Sequence, residues 1–188
     1  MLKQILLGGL LGGIALFMWG FISWAAMDWH SNTLRSHEGI QAVVENIDEH
    51  LPETGVYYFP PMTFEKDDTE AMDAWLELHR TEPHGMIFYN ATPGEPMSPM
   101  RLLRGFMVDC IAAMMASVLL VLALPSLAGY WQRVMFVLSL GVFAIISIHL
   151  VQHVFHDMPT SWTTGQSLDT TVSWLVVGLV LAGIIKNK

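Results

Sequence analysis

The sequence predicts a mainly α protein: a four-helix transmembrane bundle with a small α/β extracytoplasmic insert. Hydrophobic residues make up 53% of the 188-residue chain and charged residues only 14%. This charged fraction is well below that of soluble domains. The apolar residues are also grouped in four long runs. A helix needs roughly 20 such residues to cross a hydrocarbon core about 30 Å thick. We therefore expect an integral membrane protein in contact with the lipid bilayer.

The four runs divide the chain into three parts. Residues 4–27 contain no acidic or basic side chain and predict a first transmembrane helix over 1–27. This run is longer than the core of a typical signal peptide, so we expect the helix to be retained. Residues 28–104 are the predicted insert, and residues 105–188 hold three further helices at about 106–124, 132–152 and 169–186. Short connections favour the second and third helices as neighbours.

The charges are distributed unevenly between the two predicted sides. With both termini on one side, that side carries four basic residues and no acidic one: Lys3, Arg133, Lys186 and Lys188. All seventeen acidic residues fall on the other side or at its interface. The positive-inside rule then predicts that both termini lie in the cytoplasm and that the long 28–104 segment lies outside. A net charge of −8 offers no basic face for phosphates, so we expect no nucleic acid partner.

The insert has its own pattern of predicted elements. Apolar residues at helical spacing predict an amphipathic helix over 36–51, ended by Pro52. A second helix is predicted over 68–79, capped by Asp68 or Thr69. Two aromatic and β-branched runs, 56–59 and 86–89, predict strands that can pair across that helix. The insert is therefore expected to fold as a small α/β unit.

Glycines in the first helix predict a close helix contact. Gly8, Gly9, Gly12 and Gly13 form two overlapping GxxxG pairs, which let another helix approach closely. The pattern has two interpretations, packing within this bundle or contact with a partner subunit.

Three segments together support a resemblance: the Gly-rich stretch 8–23, the strand Gly-Val-Tyr-Tyr-Phe-Pro at 55–60, and the Ile-Phe-Tyr…Pro-Met-Ser-Pro stretch at 87–99. On these features the chain resembles a group of uncharacterised bacterial four-helix inner-membrane proteins with a periplasmic insert between helices 1 and 2. The resemblance covers most of the chain and depends on Gly, aromatic and Pro positions. It implies the architecture and no activity.

A histidine segment at the end of the third helix is the sharpest candidate site. His149, His153 and His156 are spaced i, i+4 and i+7, which places their rings within roughly 60° on one helix face. Asp157 follows them directly, and Asp28 and His30 end the first helix at the same predicted level. Imidazole and carboxylate groups bind zinc or copper. The alternative is a solvated or hydrogen-bonded interface. Haem between facing histidines such as His30 and His149 is a further possibility.

Asp109 and Cys110 are the remaining polar or reactive candidates. An acidic residue inside a transmembrane helix is costly and needs a partner; the candidates are Arg101, Arg104, His30 and His149. A proton or ion pathway would need further polar groups through the membrane, and the inner halves of the helices lack them. Cys110 is the one cysteine in the chain, which excludes an internal disulfide. We expect it to be a packed core residue rather than a nucleophile.

The chain carries no phosphate-binding Gly-rich loop, no G-x-S-x-G elbow and no H-E-x-x-H pair. We therefore expect a non-catalytic integral membrane protein that serves as an accessory or structural subunit of a larger membrane complex. Its partners are then other membrane protein subunits. The alternative function is a metal- or haem-binding membrane protein whose site lies at the periplasmic interface.

Overall fold

A computed structural model describes residues 1–51 and 53–186 of the chain. The predicted roles of Pro52 as a helix stop and of Lys188 as a basic terminal residue lie outside the described residues. The chain divides into two compact units, one formed by residues 1–35 and 96–186 and the other by Ser36–Glu95. The elements run in the order α1 (Leu2–Ala26), α2 (Asp28–Ser31), α3 (Ile40–His50), β1 (Gly55–Phe59), α4 (Thr69–Thr81), β2 (Gly85–Tyr89), α5 (Pro99–Ala123), α6 (Tyr130–Ala144), α7 (Val151–Phe155) and α8 (Thr160–Ile184).

The first unit contains four helical stretches that are long and apolar enough to cross a membrane. They are Leu2–Ala26, Pro99–Ser126, Tyr130–Phe155 and Thr160–Ile184. The second stretch ends in a 3-10 turn, Leu124–Ser126, and the third is α6 joined to α7 through a π-helical segment, Ile145–Leu150. The mainly helical class with four such helices and a small sheet is therefore confirmed.

Two of these helices begin earlier than the hydropathy pattern indicates. The helix expected at about 106 starts at Pro99, because the Ser98 side chain accepts a hydrogen bond from the backbone N–H of Arg101 and caps the first turn. The helix expected at about 169 starts at Thr160. Its first turns are rich in hydroxyl residues, and Ser167 donates its hydroxyl proton to the Thr163 carbonyl. Such local bonds let polar residues sit in a helix that a hydropathy window does not detect.

The principal helix pairs are α1 with α5 and α6 with α8, and α1 also packs against α8. The four glycines of the overlapping GxxxG pairs are all buried. A Cβ added at Gly12 would lie 2.8 Å from Ala113 Cβ, and one added at Gly9 would lie 2.9 Å from Met114 Cβ. The glycines therefore pack within this bundle, and the partner-subunit interpretation of the motif is wrong. The expectation that the second and third long helices are close neighbours also fails, since α5 and α6 share only a small contact.

The apolar core lies toward the end of the unit where α8 terminates. Its fully buried members include Leu120, Val137, Val177 and Leu181. Arg133 is buried beside this core and donates hydrogen bonds from its guanidinium to the carbonyls of Ala182, Leu127 and Ala128. A cation is favourable at the C-terminal carbonyls of a helix. Arg133 thus joins the end of α8 to the turn that follows α5.

The second unit has the elements that the sequence predicts. Strands β1 and β2 pair antiparallel, with Gly55 opposite Tyr89 and Phe59 opposite Gly85. Helix α4 is capped by Asp68, whose carboxylate accepts from the backbone N–H of Ala71. The Tyr58 hydroxyl and His79 Nε2 lie 2.7 Å apart, which ties β1 to α4. Helix α3 is bound to β2 through a 2.7 Å hydrogen bond from the Tyr89 hydroxyl to Asp48.

Candidate functional site: a buried polar cluster joining α1, α2 and α8

Asp169 of α8 is the centre of a polar cluster inside the first unit. Its Oδ1 accepts a 2.8 Å hydrogen bond from the indole N–H of Trp19 and a 2.5 Å hydrogen bond from the Ser23 hydroxyl, both on α1. His30 Nε2, on the short helix α2, lies 2.8 Å from the Ser23 oxygen and 3.8 Å from the same carboxylate oxygen. The carboxylate therefore accepts two hydrogen bonds from α1 and has the His30 ring of α2 close by.

The hydrogen-bond pattern fixes which His30 nitrogen carries a proton. Ser23 has one hydroxyl proton and gives it to Asp169, so His30 Nε2 must be the donor in its contact with the serine oxygen. The Trp29 indole N–H donates to the same oxygen at 3.2 Å. Ser23 thus makes one donated and two accepted bonds, the full capacity of a hydroxyl.

Local chain geometry brings these residues together. Helix α1 ends at Ala26, and Met27 in an extended conformation turns the chain into α2. The returning segment packs on α8 at Gly165, where an added Cβ would lie 3.0 Å from the Trp29 carbonyl oxygen. A side chain at position 165 would push the Trp29 carbonyl away by a few tenths of an ångström. The His30 ring is stacked on Trp24, with the ring centres 4.1 Å apart and the planes 5° from parallel.

Serine, histidine and aspartate also form the hydrolytic triad, but this arrangement differs from it. In a triad the histidine lies between the other two residues and takes the serine proton. Here the serine lies between histidine and aspartate and gives its proton to the carboxylate. Ser23 is 0% exposed and His30 is 2% exposed, so both side chains are closed off from solvent. The arrangement is suited to holding three elements together and to stabilising a carboxylate within the bundle.

Two buried polar atoms at this end have no hydrogen-bond partner among the described residues, namely His30 Nδ1 and Thr163 Oγ1. With Nε2 bonded to Ser23, Nδ1 is the remaining hydrogen-bonding atom of the His30 ring. Most buried polar atoms in folded proteins are paired. His30 Nδ1 therefore leaves the cluster with unused hydrogen-bonding capacity.

The six predicted metal ligands do not converge on one point in the structure, and the histidines among them that form hydrogen bonds do so with different partners. His149 Nε2 lies 3.0 Å from the Thr170 hydroxyl of α8, and His153 Nδ1 lies 2.7 Å from the Met158 carbonyl oxygen. His156 and Asp28 are exposed, and Asp157 adopts a left-handed backbone conformation with φ of 50°. His30 belongs to the Asp169 cluster.

Over the described residues, no three of those six bring ligand atoms within 4.8 Å of one another. The hydrogen bonds of His149 and His153 are of the kind that the interface interpretation expects. Zinc, copper or haem binding by this set stays a prediction.

Sequence reasoning did not single out Trp19, Ser23, Trp29 or Asp169. The sequence does contain one signal for this cluster, the acidic residue Asp169. The predicted start of the last helix at about residue 169 puts Asp169 at the edge of the membrane, where an acidic residue needs no explanation. Because α8 begins at Thr160, Asp169 lies well inside a long apolar helix, where an acidic side chain needs partners. The partners come from α1 and α2, which no local pattern in α8 can reveal.

No protein-family model, curated protein or solved structure matches this chain.

Proposed function

We propose that this chain is a multi-pass protein of the bacterial inner membrane and serves as a non-catalytic accessory subunit of a larger membrane complex. Both termini are cytoplasmic in this proposal, and the segment 28–104 is periplasmic. Four helices of membrane-spanning length support the insertion. The four basic and no acidic residues on the side of the termini support the orientation.

The observation that carries the accessory role is the uncovered apolar face of α3. Ile40, Val43 and Val44 lie on one side of this amphipathic helix and are 54%, 50% and 45% exposed. No described residue of α3 is buried. An amphipathic helix gains most of its stability by burying its apolar face against another surface. A hydrophobic groove on another protein can cover such a face.

The charge of the second unit favours a protein as the surface that covers α3. Residues 36–95 include thirteen acidic and two basic side chains, a net charge of −11. Helices that lie on membrane surfaces usually carry Lys and Arg on their polar face, whereas α3 carries Glu45, Asp48 and Glu49. Anionic lipid headgroups repel such a helix. A protein groove with a basic rim attracts it.

Gentle detergent purification from the native membrane, followed by native mass spectrometry, tests the proposal. We expect a stoichiometric protein partner with the unaltered chain. Val43→Asp places a charge in the apolar face and should release the partner. Ala42→Asp adds the same charge on the opposite side of α3 and should retain it. Circular dichroism verifies that both variants are folded.

Two results would contradict the accessory role. One is that the unaltered chain purifies as a stable monomer with no other protein. The other is that Val43→Asp retains the partner as well as Ala42→Asp does, because the apolar face of α3 would then not be the contact surface.

A further inference from the structure

Another feature of the first unit is a groove between α1 and the start of α5, which adjoins the Asp169 cluster where Trp24 stacks on His30. It is an open groove with a volume of about 470 Å³, and it is lined mainly by Phe17, Phe21, Trp24 and Met97. Asp109 is the one ionisable residue among its lining residues in the described part of the chain. Sites for small organic ligands have volumes of about 300–1,000 Å³, apolar walls and a few polar groups. The groove has these properties.

Asp109 has no hydrogen-bond or ion-pair partner among the described residues. The predicted partners Arg101, Arg104, His30 and His149 therefore do not pair with it. Arg101 instead donates to the Pro96 carbonyl, and His30 belongs to the Asp169 cluster. A carboxylate inside an apolar helix normally pairs with a cation or hydrogen-bond donors. The Asp109 carboxylate therefore lies at the wall of an apolar groove with neither a cation nor a hydrogen-bond donor among the described residues.

The aromatic walls are held in place by neighbouring rings. Phe17 packs edge to face with Phe21 and with Phe106, at centre distances of 5.1 Å and 5.5 Å. One face of Trp24 is stacked on His30, and the ring remains 55% exposed. Aromatic faces attract cations, and Trp does so most strongly. The groove therefore combines a negative charge with cation-attracting rings.

Gly20 opens this groove at the middle of its α1 wall. A Cβ built at Gly20 has no atom within 4 Å, so the space is not filled by any other described side chain. The adjacent aromatic residues on α1, one turn before and after, then face an unfilled volume. A larger side chain at position 20 would enter that volume without displacing the protein.

We propose that this groove binds a lipophilic organic monocation, with the positive centre at Asp109 and the apolar body against Phe17, Phe21 and Trp24. A lipid acyl chain matches the walls but leaves the carboxylate unpaired. A small hydrophilic cation pairs with the carboxylate but leaves the aromatic walls uncovered. A cation with an apolar body satisfies both features at once.

Binding of tetraphenylphosphonium to the full chain in phosphatidylcholine nanodiscs tests the proposal, because zwitterionic lipid does not concentrate the cation by charge. Equilibrium dialysis should give saturable binding to one site per chain. Asp109→Asn should weaken binding at least about tenfold, equivalent to about 1.4 kcal/mol. Gly20→Leu fills the groove and should weaken it by at least the same factor. The neutral analogue triphenylphosphine oxide should bind far more weakly than the cation.

Gly183→Leu is the matched control, because a Cβ at Gly183 also meets no atom within 4 Å and this residue does not line the groove. Its affinity should stay within about twofold of the native value, the usual range for a surface change. The proposal is overturned if the native chain shows no saturable site. It is equally overturned if Asp109→Asn and Gly20→Leu bind as the native chain does, or if the neutral analogue binds equally well.

Discussion

Ser23 is the residue on which the polar cluster depends. Its oxygen accepts bonds from His30 and Trp29, and its proton goes to Asp169. Three elements, α1, α2 and α8, are therefore joined at one buried hydroxyl. Removal of a shared group leaves each of its partners without a bond, and an unpaired buried polar group costs more than the bond itself contributes.

Ser23→Ala should therefore lower the free energy of unfolding by about 1–3 kcal/mol or more. Thermal unfolding in detergent, followed by tryptophan fluorescence, measures the change. Ser161→Ala is the control, because Ser161 lies on α8 and is exposed; its unfolding temperature should not change. Equal effects of the two substitutions would show that the cluster does not hold α1, α2 and α8 together.

Tyr89 gives a pH-dependent prediction in the second unit. The hydrogen bond that it donates to Asp48 is the main cause that raises the pKa of its phenol. The folded-state pKa is thus above the unfolded value of about 10. The stabilising effect of this bond is fully present below pH ~10 and is lost as the pH rises through the raised pKa.

The difference in unfolding temperature between the native chain and Tyr89→Phe should therefore shrink above pH ~10. Asp48→Asn removes the charge and should return the Tyr89 pKa toward its ordinary value, as measured by ultraviolet absorbance titration. A difference that is constant between neutral and strongly alkaline pH would contradict this contact.

At the level of elements, α1 and α5 approach closely because their facing residues are small. A Cβ added at Gly13 would lie 2.6 Å from the Cα atom of Cys110, so the backbones themselves would have to separate. A Cβ at Gly20 on the same helix meets no atom within 4 Å. The two glycines have the same helix propensity and differ only in what they face.

Gly13→Ala should therefore destabilise the bundle by about 1–3 kcal/mol through overpacking. Gly20→Ala should leave it unchanged or stabilise it by up to about 1 kcal/mol, since Ala favours helix over Gly. Chemical denaturation in mixed micelles measures both. If both variants lose the same free energy of unfolding, the glycine face of α1 is not the surface that contacts α5.

Elements were predictable from sequence where one local pattern determines them. The strands at 55–59 and 85–89 and the helix at 69–81 follow alternation, capping and turn signals, and the structure has them. The start of α8 was not predictable from hydropathy, because Thr and Ser side chains bond to carbonyls of their own helix. The Asp169 cluster follows from that start and from contacts about 150 residues apart in the chain.

At the level of the whole molecule, two units of opposite character share one chain. The first has four long apolar helices, with the polar side chains of Asp169 and Arg133 hydrogen-bonded between them. The second is small and carries a net charge of −11. A strongly anionic unit is unfavourable within lipid or beside anionic headgroups. This contrast is the physical basis for expecting the second unit in water, on the side opposite to the basic termini.

Cysteine labelling in intact cells tests that arrangement most directly. In a Cys110→Ala background, Thr92→Cys puts a thiol in the acidic insert, and Ser126→Cys puts one in the turn between α5 and α6. A membrane-impermeant maleimide should label the residue-92 thiol in intact cells and the residue-126 thiol only after lysis. Labelling of the residue-126 thiol in intact cells, or recovery of the chain in the soluble fraction without detergent, would contradict four helices that cross the membrane with both termini in the cytoplasm.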